Sequence, residues 1–173
     1  MMIKSIKSEY LRYKKLAEGA IQQTPEAGID KVLGEDNNSI SIIVFHISGN
    51  LKSRFTDFLT TDGEKEWRKR DAEFEKRQLT KSELINVWEE GWNVLITALD
   101  ELTDNDLSKK VTIRKKELSV SDALHRSLAH FSYHVGQIVF IARVIVGKEW
   151  ASLSISRGRS VNYNKHPDKE KNV

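Results

Sequence analysis

The chain of 173 residues contains no cysteine, only two prolines and nine glycines. Without cysteine there is no disulfide framework, no zinc–thiolate or iron–sulfur site and no thiol nucleophile, so any metal must be held by His, Asp or Glu. With so few breakers, long helices are permitted and a many-turned all-β fold is disfavoured. A glycine-rich phosphate loop, a GxSxG elbow and the Glu-x-x-His pair of di-iron bundles are all missing. The longest apolar run, Val135 to Val146, is broken by Gln137 and Arg143 and falls short of the roughly 20 residues a membrane span needs. The opening Met1-Met2-Ile3-Lys4 lacks the apolar core and cleavage site of a signal peptide. The expectation is a cytoplasmic chain without membrane attachment.

Hydrophobic residues at 39% and charged residues at 31% fit one soluble globular domain with a single core. The formal charge of +3 is concentrated after residue 156. There, Arg157, Arg159, Lys165, Lys169 and Lys171 face only Asp168 and Glu170, leaving 23 bases and 23 acids in the body. A balanced body has no footprint for a phosphate backbone, so nucleic-acid binding is not expected. A DNA-related reading would rest on the tail alone.

Ile3, Ile6, Tyr10, Tyr13, Ala17, Ala20 and Ile21 recur at three- and four-residue spacings, predicting a first amphipathic helix that stops near Thr24-Pro25. Residues 25–38 read as a loop. Ser39 is a natural N-cap for a second helix running from Ile40 to about Leu59. The charged stretch from Thr60 to Leu79 reads as a solvated crossover pinned by Trp67 and Phe74. In it, Arg68, Arg70, Asp71, Glu73 and Glu75 form a solvated charged face. Thr80-Lys81-Ser82-Glu83 matches a capping box opening a third helix to about Leu102. Val111-Thr112-Ile113 and Glu117-Leu118 are candidate strands of a short hairpin. Ser119 with Asp122 matches a second capping box, opening a fourth helix whose apolar stripe from Leu124 to Ile145 ends at Gly147. The predicted class is all-α, a four-helix bundle with a long crossover between helices 2 and 3. It occupies residues 1–150, and a basic C-terminal extension occupies 151–173.

Among the five histidines, His130 and His134 stand four apart on helix 4, close enough for both imidazoles to reach one metal. His46 lies on helix 2 just off the stripe of Ile43 and Ile47. If helices 2 and 4 pack face to face, three imidazoles converge and leave coordination positions open. The bland alternative is a satisfied core histidine at 46 and an accidental HxxxH pair. The glutamate of zinc-protease helices is replaced by Phe131, which excludes that motif. His125 falls on the opposite side of helix 4 and His166 in the tail, so neither is expected to be a ligand.

The helix with one central histidine, the crossover, and HFSYHVGQ at 130–137 resemble the DinB-like (DinB/YfiT) four-helix-bundle superfamily. More narrowly, the segments NSISIIVFHISGNLKSRFTDFLTTDGEKEWRKRDAEFE and ALHRSLAHFSYHVGQIVFIARVI look like its DUF1572 branch. The resemblance implies a divalent metal, zinc or nickel, on His46, His130 and His134. It also implies a homodimer and, in some members, transfer of a small thiol to an electrophile. Asn50 and Gln137 are candidates to orient a metal-bound group. Trp67, Arg68, Arg70 and Asp71 are candidates to lid the metal and meet an anionic substrate. The competing reading is a non-catalytic dimeric bundle, or a stress-related one, with a structural metal or none.

Overall fold

The computed structural model describes residues 1–165 and 167. Five helices are present among them: α1 (Met2–Gln23), α2 (Ile40–Phe55), α3 (Lys81–Glu101), α4 (Val120–Val146) and the short α5 (Ser160–Asn164). A two-stranded antiparallel hairpin, β1 (Lys110–Ile113) and β2 (Lys116–Ser119), precedes α4.

Cross-helix contacts fix the directions of the four long helices. Tyr10 Oη donates to the Leu124 carbonyl at 2.8 Å, and near the other end of α1, Gly19 sits under Leu153, just past α4. Helices α1 and α4 are therefore parallel. Lys7 pairs with Asp100 and Lys14 with Glu89, so α1 and α3 are antiparallel. Ser48 Oγ donates to the Val87 carbonyl and Lys52 pairs with Glu90, so α2 and α3 run together. His46 meets His130 and His134 while Arg54 meets Ser127 across a shared cavity, which makes α2 antiparallel to α4. The bundle is thus up-down-down-up, with α1 and α2 on one diagonal.

Parallel neighbours in sequence order need a connection that returns the full length of a helix. That requirement explains the crossover at residues 56–80, and it routes charged chain past the middle of α2. The crossover starts earlier than the periodicity predicts. Helix α2 ends at Phe55, because Thr56 is extended and Asp57 is left-handed at φ 50°. Phe58 then folds back to stack on Phe55 at 5.0 Å, which keeps it buried without continuing the helix.

The hairpin anchors the start of this crossover. Its turn residues Arg114 and Lys115 both have positive φ, the backbone of a tight hairpin turn. The Asp62 carboxylate accepts both of their N–H groups, at 2.9 and 2.8 Å. Gly63 N donates to the Thr112 carbonyl at 2.8 Å, and the Gly63 carbonyl accepts from Ser53 Oγ at 2.7 Å. A hairpin that is marginal alone is thereby tied to both α2 and the crossover.

The core is built on aromatics. Tyr10, Trp88, Trp92 and Phe131 are fully or almost fully buried. Phe131 lies 4.8 Å from Tyr10 and 5.1 Å from Trp92, centroid to centroid. Each such ring contributes about 1.5–3 kcal/mol by leaving water. All three predicted N-caps form: Ser39 accepts from Ile42 N, Thr80 with Glu83 makes a reciprocal box, and Ser119 accepts from Asp122 N, although there the Asp122 carboxylate takes the Ser119 hydroxyl and the box is not completed. The apolar run Val135–Val146 is only the second half of α4, and with the turn that follows it the whole helix, Val120–Glu149, is long and apolar enough to pass for a membrane span. One face of it, with Leu124, Phe131, Val135, Ile138 and Ala142, is packed inside the bundle, while Tyr133, Phe140 and Val144 are exposed. After α4, Ala151 N donates to Gln23 Oε1, and Leu153 packs on the core.

Candidate metal centre

Helices α2 and α4 do pack face to face, and their contact brings His46, His130 and His134 together. One ligand nitrogen from each of the three lies within 4.8 Å of the other two. His46 Nε2 and His130 Nε2 are 3.2 Å apart. Two ring nitrogens that close need a proton or a cation between them. The separation is also near the roughly 3.3 Å expected for two nitrogens on one tetrahedral ion at about 2.0–2.1 Å each. The donor set therefore fits a divalent metal ion of the kind imidazoles suit.

Two hydrogen bonds outside the cluster aim the rings inward. Glu73 Oε2 accepts from His46 Nδ1 at 2.9 Å, and Gln137 Oε1 accepts from His134 Nδ1 at 2.7 Å. In the tautomer with Nδ1 carrying the proton, Nε2 of each ring offers its lone pair for a ligand role. Gln137 is held in turn by its Nε2 donating to Tyr133 Oη at 3.1 Å.

Glu73 is the centre of the supporting shell. Burial raises its pKa, but the hydrogen bonds from His46 and Arg68 outweigh that and hold it below the ordinary glutamate value. Arg68 grips it with two bonds, Nε to Oε1 at 2.7 Å and Nη2 to Oε2 at 2.9 Å. The side chains of Arg68 and Glu73 are 2% and 9% exposed, so this is a buried ion pair. Phe74 stacks on the His46 ring at 4.9 Å.

His130 and His134 are pushed toward their neutral forms. Burial, then the neighbouring His134 and His46, then Arg68 and Arg54, lower the His130 pKa to about 4. Burial also lowers His134, against the opposing effect of its Gln137 bond. Neutral imidazole is the form that binds a metal.

Several expectations from the sequence change here. The crossover is not a uniformly solvated charged face, because Glu73 is buried and Arg68 lies beneath it. Trp67 does not pin it: the ring is 56% exposed and contributes nothing to the cavity beside His130. Asn50 lines that cavity but makes no hydrogen bond to the histidines among the described residues. Gln137 does reach His134. His125 is exposed and apart from the cluster, and His166 lies outside the described residues. Glu73 carried no signal in the sequence beyond its position next to Phe74, since nothing in a run of alternating charges marks which member turns inward.

No curated protein and no solved structure matches the chain. A family model described as a protein of unknown function, DUF1572, matches residues 1–159, and the chain belongs to that family.

Proposed function

We propose that this protein is a DinB-like metal-dependent transferase in which His46, His130 and His134 hold a divalent ion, zinc or nickel, and a small thiol is added to an electrophile. The observation that carries the reading is the pair of outward bonds, Glu73 to His46 and Gln137 to His134, which leaves lone pairs facing one another in the cluster. A merely structural histidine would satisfy itself with one core partner. Here three rings from two helices, each favoured neutral or held in one tautomer, are collected together, with His46 and His130 at the edge of a cavity.

A divalent ion held by three neutral ligands supplies Lewis acidity and lowers the pKa of a coordinating thiol, so that thiolate is available at neutral pH. The chain's own residues do the remainder. Glu73 and Gln137 fix the ring orientations, Arg68 fixes Glu73, and Phe74 covers one face of His46. No protein nucleophile is required, in keeping with a chain that has no cysteine.

The test is metal content by plasma mass spectrometry on protein without a histidine tag, beside His46→Ala/His130→Ala. About one equivalent per chain, lost in the variant, supports the site. The loaded protein should then consume bacillithiol, mycothiol, glutathione, coenzyme A or cysteine when monochlorobimane is supplied, and the variant should not. Failure to take up zinc or nickel overturns the metal reading. Uptake with no consumption of any of these thiols overturns the transferase reading.

A further inference from the structure

Beside His130 lies a cavity of about 190 Å³ whose wall contains five arginines: Arg54, Arg68, Arg70, Arg114 and Arg126. They come from α2, the crossover, the hairpin turn and α4. Among the described residues no carboxylate lines it. Glu73 binds Arg68 from the far side, and Glu64 is shared between Arg54 at 3.3 Å and Arg114 at 2.8 Å. Two carboxylates against five guanidiniums leave an excess of positive charge on one small concave wall. Arg70 has only the Phe74 ring beneath it, at 5.4 Å, and Arg126 makes no ion pair or hydrogen bond among the described residues.

Gathering guanidiniums this closely is unfavourable unless an anion joins them, as each disfavours its neighbour's charge. At Arg54 burial lowers the pKa, Glu64 opposes it, and Arg68 and Arg114 add smaller contributions in the same direction as burial. Arginine's planar fork matches carboxylate and phosphate oxygens two at a time. The cavity is too small for a polymer and opens directly onto His130.

From this we infer that the arginine-walled cavity is an anion subsite, which takes the carboxylate or phosphate group of a small substrate and presents the rest of that molecule to the histidine cluster. The assignment of that substrate to the reacting centre rests on the metal-site reading above; the anion binding itself does not. Arg70 and Arg126 are the recruiting groups, while Arg54, Arg68 and Arg114, already paired, set the field. The order of the wall matters, because the anion would sit on the side of His130 away from Gln137.

Calorimetric titration of metal-depleted protein with sodium succinate, inorganic phosphate and uncharged succinamide tests this. At low salt one or both anions should bind and succinamide should not. Affinity should fall about tenfold or more in Arg70→Ala/Arg126→Ala and fall as salt is raised. Stronger succinate binding assigns a carboxylate, and stronger phosphate binding a phosphoryl group. Arg126→Glu, at an exposed position, gives a second variant that keeps the fold and should weaken binding further. Absence of binding by both anions, equal binding of succinamide, or affinity unchanged in both variants overturns the proposal. The same titration on His46→Ala separates the two readings: anion binding retained without metal uptake leaves this subsite standing while the metal centre is tested on its own.

Discussion

Glu73 Oε2 accepts a hydrogen bond from His46 Nδ1 at 2.9 Å, although the two residues stand 27 positions apart and on different kinds of structure. One is on a core-facing helix. The other is in a 3₁₀ turn, Asp71–Phe74, of a charged crossover. The bond makes the crossover part of the site, and it explains why α2 carries a glycine at 49. A Cβ there would run into the Glu73 carboxyl, whose Cδ would be only 2.8 Å away.

Removing one partner of the buried Arg68–Glu73 pair should cost more than removing both. Glu73→Ala and Arg68→Ala each leave an uncompensated buried group and are expected to destabilise by about 3–5 kcal/mol, whereas Arg68→Met/Glu73→Leu should cost less than either single variant. Urea denaturation of the four proteins measures this. Equal and additive losses would show that the pair is not coupled.

Glu73→Gln keeps the shape of the side chain but weakens the hold on His46. Metal affinity should drop by about 10–100-fold, read by competition with a chromophoric chelator. Gln137→Leu should act on His134 in the same direction. An affinity unchanged in both would remove the supporting shell from the argument.

Gly49→Ala and Gly91→Ala should diverge from the usual gain of about 1 kcal/mol for replacing a helical glycine by alanine. At 91 a Cβ would lie 2.6 Å from the Ser48 Cα, a backbone atom that cannot swing away, so the α2–α3 contact must open and stability should fall by about 1–3 kcal/mol. At 49 the obstructing atom belongs to a side chain. That variant should expel Glu73, and its loss of metal affinity should resemble that of Glu73→Gln.

In metal-free protein the depressed His130 pKa makes stability depend on pH in one direction. The unfolded chain takes up the proton near 6.5 and the folded chain only near 4, so the unfolded state binds more protons between these values. Stability should be fully present above about pH 6.5 and should decline as pH falls toward about 4, levelling off below. Thermal melts of wild type and His130→Ala across this window test it; the variant should show a shallower decline. Identical profiles would contradict the burial of His130 as the cause.

The helices were legible because their signals are local. Apolar spacing, the Ser39, Thr80 and Ser119 caps and the Gly147 stop are written within a few residues of the boundaries they set, and the structure places those boundaries within a residue or so. His130 and His134 were legible for the same reason, since one helical turn guarantees that they share a side. Where helix α2 ends was not, because Phe58 keeps the helical spacing yet is buried by turning back onto Phe55.

Sequence alone therefore determined an all-α bundle, its caps and the histidines on each helix. It could make their convergence only conditional on α2 facing α4, and that condition is met by the up-down-down-up arrangement. The same arrangement sets α2 parallel to α3 and so sends the crossover along the bundle, where Glu73 reaches His46 and arginines from four separate segments meet at one cavity. Such long-range encounters depend on the relative directions of packed helices. A run of charges looks the same whether it faces water or turns one glutamate inward, and only the tertiary fold distinguishes the two.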